Sequence, residues 1–166
     1  MKIIFCDYIG KTWEEVDSSI EKLNTKPDII FIDHIHHISN KVRMTEKQSI
    51  DDYLLHFREL VIRGNFVGIL NAQINRVSQE DKEGEPQLHH LKSTGRLEEV
   101  ADNALLLWWP HHGNKSKPKN LFKINIAKNR YGATSILDID FQPQFYSFSD
   151  YIETEYKNEA VQRFKD

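Results

Sequence analysis

The sequence contains few features of secreted or membrane proteins. Cys6 is the only cysteine, so no disulfide can form within the chain, which is typical of a reducing compartment. No apolar run approaches the roughly 18 residues of a membrane-spanning helix, and the apolar stretch at residues 3–5 is too short for a signal peptide. These absences predict a cytoplasmic protein that does not interact with a membrane.

Acidic residues are absent from one long segment. The chain has a formal net charge of -3, yet no Asp or Glu occurs between Asp102 and Asp138. A basic segment on a mildly acidic protein indicates a local anion-binding site, although its first lysines alone are more typical of a solvated loop. The basic residues of the segment are Lys115, Lys117, Lys119, Lys123, Lys128 and Arg130.

One short apolar run is central to the pattern. Residues 29–32 are all apolar and follow Pro27, which predicts a strand buried on both faces, as in a parallel sheet. Asp33 comes directly after this strand, at the end where open α/β sheets bind ligands. The pattern alone leaves two interpretations open, because Asp33 could bind a ligand or only cap the next element.

Strand and helix patterns alternate along the chain and predict an α/β fold. Strands are predicted at residues 2–7, 29–32, 66–70 and 104–109, and helices after Thr12, at 49–63 and within 91–102. Residues 39–47 are predicted to form a loop. Residues 121–127 and 135–141 alternate in polarity on either side of a turn at 129–132, which predicts a hairpin. Residues 1–149 are predicted to form one domain, and residues 150–166 a helical tail.

Four motifs occur in a fixed order. Asp33 follows the central strand, and the next predicted strand runs into Asn71-Ala-Gln73-Ile-Asn-Arg76. The other two motifs are Leu91-Lys-Ser-Thr-Gly95, continued by Leu97-Glu-Glu-Val-Ala-Asp102, and Lys128-Asn-Arg130-Tyr-Gly132. This order resembles the carboxy-terminal ATPase domain of the DnaB-type replicative helicases. The resemblance implies a RecA-like, mostly parallel sheet flanked by helices, with a β-hairpin at one side.

The sequence departs from this family at the phosphate-binding loop. The Walker A pattern Gly-x-x-x-x-Gly-Lys-Ser/Thr does not occur in the 166 residues, and Gly10-Lys11-Thr12 is a chance match that follows the wrong strand. The family's catalytic glutamate is also absent, and His34-Ile-His36 stands where the family has Tyr-Leu-Gln. We therefore expect the amino-terminal P-loop unit to be missing, and this chain alone to hydrolyse no ATP.

The resemblance implies roles in a composite ATP site. Asp33 would hold Mg²⁺ through water, and Gln73 would contact the γ-phosphate or position a water molecule. Lys128 and Arg130 would be basic finger residues that reach the nucleotide of a neighbouring subunit. Each has a simpler interpretation, because Gln73 could cap a strand end and the two basic residues could flank an exposed turn.

The resemblance also implies partners. The family forms hexameric rings that unwind DNA, so we expect a homo- or hetero-oligomeric ring and a P-loop-containing segment or subunit. The loop after Gln73 corresponds to one that faces single-stranded DNA. Its acidic residues argue against tight contact along its whole length. The basic residues in and after it that could meet phosphates are Arg76, Lys82 and Lys92.

Two alternatives remain open from the sequence. The chain could be a non-catalytic module that binds DNA or helicase subunits, with hydrolysis lost. It could also be a metal hydrolase, because His34, His36 and His37 lie next to Asp33. Their spacing matches no closed zinc motif, and no cysteine accompanies them.

Overall fold

The chain folds into two compact units. The computed structural model describes residues 2–39, 43–74, 85–90 and 95–151. The first unit comprises Met1–Asn75 and His89–Ala101, and the second comprises Arg76–Leu88 and Asp102–Asp166. A single turn of 3-10 helix at Leu88–His90 spans one boundary between them in the sequence.

The first unit contains three α-helices and two strands. In chain order these are α1 (Trp13–Glu21), β1 (Ile29–Ile32), α2 (Glu46–Gly64), β2 (Val67–Leu70) and α3 (Gly95–Val100), with a 3-10 turn at Ile35–His37 after β1. β1 and β2 pair in parallel, with Ile29 opposite Val67 and Ile32 opposite Leu70. The parallel pair and the helices after Thr12, before Asn65 and before Asp102 confirm the sequence pattern.

Both long helices begin with a capping box. The Glu15 N–H donates to Thr12 Oγ1 (3.4 Å), and the Thr12 N–H donates to Glu15 Oε2 (2.8 Å). Thr45 and Gln48 make the same reciprocal pair at α2. This pair lets α2 begin at Glu46, inside the stretch predicted to be a loop, because it satisfies helix N–H groups that would otherwise lack acceptors.

The core of the first unit lies between the strand pair and the two long helices. Trp13 on α1 stacks on Tyr53 and meets Phe57 edge-on, with centroid distances of 6.3 and 6.1 Å. Gly68 lets β2 approach α2 closely, because a Cβ there would lie 2.8 Å from Phe57 and 2.6 Å from Val61. The buried members of the core are Trp13, Val16, Ile32, Ile35, Ile38, Ile50, Tyr53, Leu54, Phe57, Leu60 and Leu97.

Two expectations for this unit are wrong. β1 is not buried on both faces, because Ile29 and Phe31 are exposed while Ile32 is buried. Residues 2–7 form neither a strand nor a helix, and Phe5 is 92% exposed. A strand needs a neighbour to pair with, and in the described part of the chain β1 pairs only with β2.

The second unit is an antiparallel sheet. Its elements are β3 (Asn103–Trp108), α4 (Pro110–Gly113), β4 (Leu121–Asn129), β5 (Ser135–Gln142), a 3-10 turn (Pro143–Phe145) and β6 (Ser147–Asp150), with the strands in the order β3-β4-β5-β6. The predicted hairpin is confirmed as β4 and β5. The α/β class is likewise confirmed, with parallel pairing confined to β1 and β2 among the described strands.

One face of this sheet is apolar throughout. Phe141 and Phe148 stack on it with a centroid distance of 4.6 Å, and Phe122 lies edge-on to both. Leu105 and Leu107 on the same face are 59% and 58% exposed. By strand register, this apolar face consists of Leu105, Leu107, Phe122, Ile124, Ile126, Leu137, Ile139, Phe141 and Phe148.

A β-bulge interrupts the pairing of β3 with β4. Leu105 pairs with Ile126 but Ala104 pairs with Lys128, so Ala127 is an extra residue on β4. Directly paired residues share a face, and successive residues of a strand alternate. Lys128 therefore lies on the face of Ala104, opposite the apolar face. No helix among the described residues is long and apolar enough to cross a lipid bilayer.

Candidate functional site

Asp33 and Asn71 lie side by side at the carboxyl edge of the parallel strand pair. Each directly follows its strand, and the strands are in register, so the two residues are neighbours. Asn71 Nδ2 donates to Asp33 Oδ1 (3.0 Å). The backbone reinforces the contact, since the Asn71 N–H donates to the Ile32 carbonyl (2.9 Å) and the Ile35 N–H to the Asn71 carbonyl (3.3 Å). This places the Asp33 carboxylate at the edge where α/β sheets bind ligands.

Asn71 was not singled out in the sequence, although a signal existed. Both Asp33 and Asn71 are the first polar residue after an apolar strand. Pairing two parallel strands by their final apolar residues would have placed them together. Gln73 follows two residues later and is exposed, as is Asp33. An exposed carboxylate suits a hydrated Mg²⁺, and the amide can both donate and accept.

Tyr8 lies beside this carboxylate. Its hydroxyl donates to the His34 carbonyl (3.3 Å). Burial raises the pKa of Tyr8 above its usual value of 10.0, and the negative charge of Asp33 raises it further. This electrostatic coupling links the segment before α1 to the residue that follows β1.

Gly10-Lys11-Thr12 does not form a phosphate-binding loop. Gly10 has a φ of 72° in a turn, its N–H donates to the His37 carbonyl (3.0 Å), and the Lys11 N–H donates to the Tyr8 carbonyl (3.0 Å). Thr12 is the N-cap of α1. A phosphate needs such N–H groups to point at it, so their internal bonds agree with a chance match.

The histidines after Asp33 pack against one another. The His34 and His37 rings stack with centroids 4.1 Å apart, and His36 lies edge-on to His34 at 5.3 Å. Across the described residues, no group of three or more His, Cys, Asp or Glu side chains could hold a metal ion. The metal-hydrolase alternative therefore finds no support.

In the second unit, Arg130 is paired with Asp102. Arg130 Nη1 lies 2.6 Å from Asp102 Oδ1, and the Arg130 N–H donates to the Asp102 carbonyl (2.9 Å). The arginine side chain is still 40% exposed. Lys128 is half-buried at the end of β4, opposite Ala104. Arg130 is thus held by two contacts to the residue that precedes β3.

The turn after Arg130 is held by one side chain. Asn129 Oδ1 accepts from the Tyr131 N–H (3.3 Å), and Asn129 Nδ2 donates to the Ala133 carbonyl (3.1 Å). Gly132 is required here, because a Cβ would lie 2.8 Å from Asn129 Nδ2. The spacing of Lys128, Arg130 and Gly132 therefore has a structural cause in addition to its functional interpretation.

The basic segment is less charged than its composition indicates. Lys123 Nζ lies 2.7 Å from Asp138 Oδ1, and Arg130 is paired with Asp102. The two acidic residues that bound the segment in sequence thus neutralise two of its six basic charges. The candidate DNA-binding residues Arg76, Lys82 and Lys92 lie outside the described residues.

The fold is of the RecA-like class. A solved structure of a DnaB-like replicative helicase matches with a TM-score of 0.77 and 21% identity, over 86% of this chain and 36% of that one. A second solved structure, of an isolated ATPase domain, matches with a TM-score of 0.74 and 21% identity, over 86% of this chain and 52% of that domain.

The chain belongs to the family described as the DnaB-like helicase C terminal domain, which matches residues 1–150. A protein named "Probable plasmid replicative DNA helicase" in Chlamydia muridarum is 26% identical over 128 residues, which is 77% of this chain and 27% of that protein. The replicative DNA helicase DnaB of Mycoplasma genitalium is 24% identical over 152 residues, 86% of this chain and 32% of that protein. The chain thus spans about a quarter to a third of these relatives.

Proposed function

We propose that this chain is part of the ATPase domain of a DnaB-like replicative helicase and contributes half of a composite nucleotide site. The observation that carries the proposal is the Asp33–Asn71 pair, with Gln73 beside it, at the carboxyl edge of the parallel strands. Asp33 would hold Mg²⁺ through water, with Asn71 keeping the carboxylate in place. Gln73 would contact the γ-phosphate or orient the attacking water.

The second unit would act on a neighbour's nucleotide. Lys128 and Arg130 would stabilise charge on the transferring phosphoryl group, a role that can contribute about 10³–10⁵ in rate. The Asp102 contact orients Arg130 until a phosphate competes for the guanidinium. MgATP would supply the transferable phosphoryl group, with the metal neutralising charge on its oxygens.

The rest of the site would come from elsewhere. No Walker A pattern occurs in these 166 residues, so the lysine and backbone N–H groups that cradle phosphates must be supplied by another segment or subunit. We infer a ring assembly in the cytoplasm that works on single-stranded DNA. Arg76, Lys82 and Lys92 would meet the DNA phosphates, and binding would weaken with salt.

The experiment is to add the missing segment. The Walker A-containing portion of the ATPase domain of Geobacillus stearothermophilus DnaB, a relative that is 24% identical over 123 residues, is co-expressed with this chain. We expect DNA-stimulated ATP hydrolysis by the mixture, none by this chain alone, and at least a tenfold loss with Asp33→Asn. A well-folded mixture that never hydrolyses ATP contradicts the proposal.

The missing Walker A pattern also favours a second candidate, a non-catalytic module that binds DNA or helicase subunits. Such a module would bind single-stranded DNA or a helicase ring without binding ATP. Filter binding with radiolabelled ATP and with oligodeoxythymidine separates the two, because the composite-site proposal requires ATP binding once the Walker A segment is present.

A further inference from the structure

One face of the β1–β2 pair is covered and the other is not. Ile32 is buried in the core, and Ile30 and Leu70 pack against it. The opposite side chains are exposed, by 57% for Ile29, 56% for Phe31, 56% for Val67 and 40% for Ile69. Ile29 pairs with Val67 and Phe31 with Ile69, so these four residues form one continuous surface, the outer face. Parallel sheets are normally covered on both faces, so the outer face is incomplete.

The edge of β2 is open as well. The N–H groups of Val67 and Asn71 donate to carbonyls of Asp28 and Ile32, so odd-numbered residues of β2 face β1. The N–H and C=O groups of Gly68 and Leu70 therefore point away from β1. No described strand pairs with this edge. By contrast, the chain's own segment before α1 is hydrogen-bonded to the residues after β1, through Gly10 and Lys11.

The open edge and the outer face adjoin the candidate nucleotide site. A strand added in parallel to β2 would end beside Asn71 and Gln73. The loop after that strand would then lie at the carboxyl edge, and a helix beginning there would direct its N–H groups at a phosphate. A lysine in that loop would also complement the negative charge of Asp33.

The comparison with solved structures gives the size of the missing part. This chain aligns over 86% of its own length but only 52% of the isolated ATPase domain, so nearly half of that fold has no counterpart here. A strand, a loop and a helix are small enough to belong to that remainder.

We propose that the outer face and the β2 edge dock an apolar strand followed by a glycine-rich phosphate-binding loop and a helix. The strand extends the sheet at Gly68 and Leu70, and apolar side chains of the docked segment cover Phe31 and Val67. The inference rests on the proposed function for the identity of the loop. It rests on the exposed face and open edge for the position.

The test joins the Walker A-containing segment of Geobacillus stearothermophilus DnaB to the amino terminus of this chain through a Gly-Ser linker. The linker keeps the segment at high effective concentration, so docking does not depend on its solubility. Amide hydrogen exchange of Gly68 and Leu70 is then compared by NMR in the fusion and in this chain alone. We expect at least a tenfold slowing in the fusion, because both amides would donate into a new ladder.

Two matched variants of the fusion separate docking from general effects. Val67→Asp places a charge on the outer face and should return both amides to the fast exchange of the unfused chain. Ile62→Glu changes a residue of α2 that is 67% exposed, and should keep the protection. Circular dichroism confirms that each variant is folded. A folded fusion without protection, or a Val67→Asp fusion that keeps it, overturns the docking inference.

ATP hydrolysis by the same fusions distinguishes this inference from the proposed function. Protection without DNA-stimulated hydrolysis keeps the docking site and contradicts the function. Hydrolysis that survives Val67→Asp keeps the function and overturns the docking site.

Discussion

Arg130 and Asp102 form an ion pair of 2.6 Å between the hairpin turn and the residue that precedes β3. The backbone of Arg130 donates to the carbonyl of the same aspartate. The candidate finger is therefore held by the chain that carries it, and a phosphate must compete with a carboxylate for its guanidinium. Such a contact orients the side chain without burying it.

Replacing Asp102 tests the strength of this contact. Asp102→Asn should lower the free energy of unfolding by less than about 1 kcal/mol, because pairs between partly exposed side chains contribute little. Urea denaturation measures the change. Asp138→Asn, which breaks the similar Lys123 pair in the same sheet, serves as the control, and a loss several times larger for Asp102→Asn alone contradicts this expectation.

Asn71 should be sensitive to charge. Asn71→Asp places a second carboxylate about 3 Å from Asp33, and repulsion between solvated charges should reduce stability by on the order of 1 kcal/mol. Millimolar Mg²⁺ should restore this loss, because paired carboxylates bind the ion. Thermal unfolding with and without Mg²⁺ measures both effects. Asn71→Ala, which adds no charge, should show no Mg²⁺ response, and an equal response from both variants argues against a cation site.

Tyr8 reports the charge of Asp33. Asp33→Asn should bring the pKa of Tyr8 part of the way back towards 10.0, because burial, the larger cause, remains. NMR of ¹³C-labelled tyrosine follows the titration. Asp7→Asn should leave the pKa of Tyr8 unchanged, because Asp7 is not among the causes of the shift.

The same shift affects stability at alkaline pH. The raised pKa means that the folded chain keeps the Tyr8 proton longer than the unfolded chain does. Its stabilising contribution is therefore complete below pH 10.0 and is lost as pH rises from there through the folded-state pKa. Asp33→Asn should reduce this loss, and an unaltered alkaline unfolding curve would show that the two groups are not coupled.

Gly68 should not tolerate a side chain. Gly68→Ala brings a methyl group to within 2.9 Å of Phe57 and Val61, and overpacking of this kind costs about 1–3 kcal/mol. Chemical denaturation measures the loss. Gly113→Ala is the matched control, because a Cβ there would meet nothing within 4 Å. Similar losses at both sites would show that the contact between β2 and α2 is not the cause.

Local patterns predicted most elements, since apolar spacing and caps act over a few residues. The helix after Thr12, the strand before Asp33 and the hairpin around Asn129 are all present. The start of α2 was misplaced because Thr45 and Gln48 form their capping box inside a stretch whose composition is that of a loop. β6 was missed because it follows a left-handed turn at Tyr146 (φ 48°) and continues into a charged tail.

The site was only half predictable. Asp33 and Gln73 were identified from motif order, but the partners that hold the site together were not. Asn71 meets Asp33 across 38 positions of sequence, and Asp102 meets Arg130 only because β3 and β4 pair in one register. Strand register depends on tertiary packing, and no local pattern encodes it.

The extra residue Ala127 decides which way Lys128 faces. In a regular ladder Ile126 and Lys128, two positions apart, would share a face, and the lysine would lie with Leu105 among apolar side chains. The bulge instead brings Lys128 opposite Ala104. Deletion of Ala127 would keep this orientation, because Lys128 would then directly follow Ile126 and still pair with Ala104. Homologous chains can therefore differ by one residue in the length of this strand and still present the lysine on the same side of the sheet.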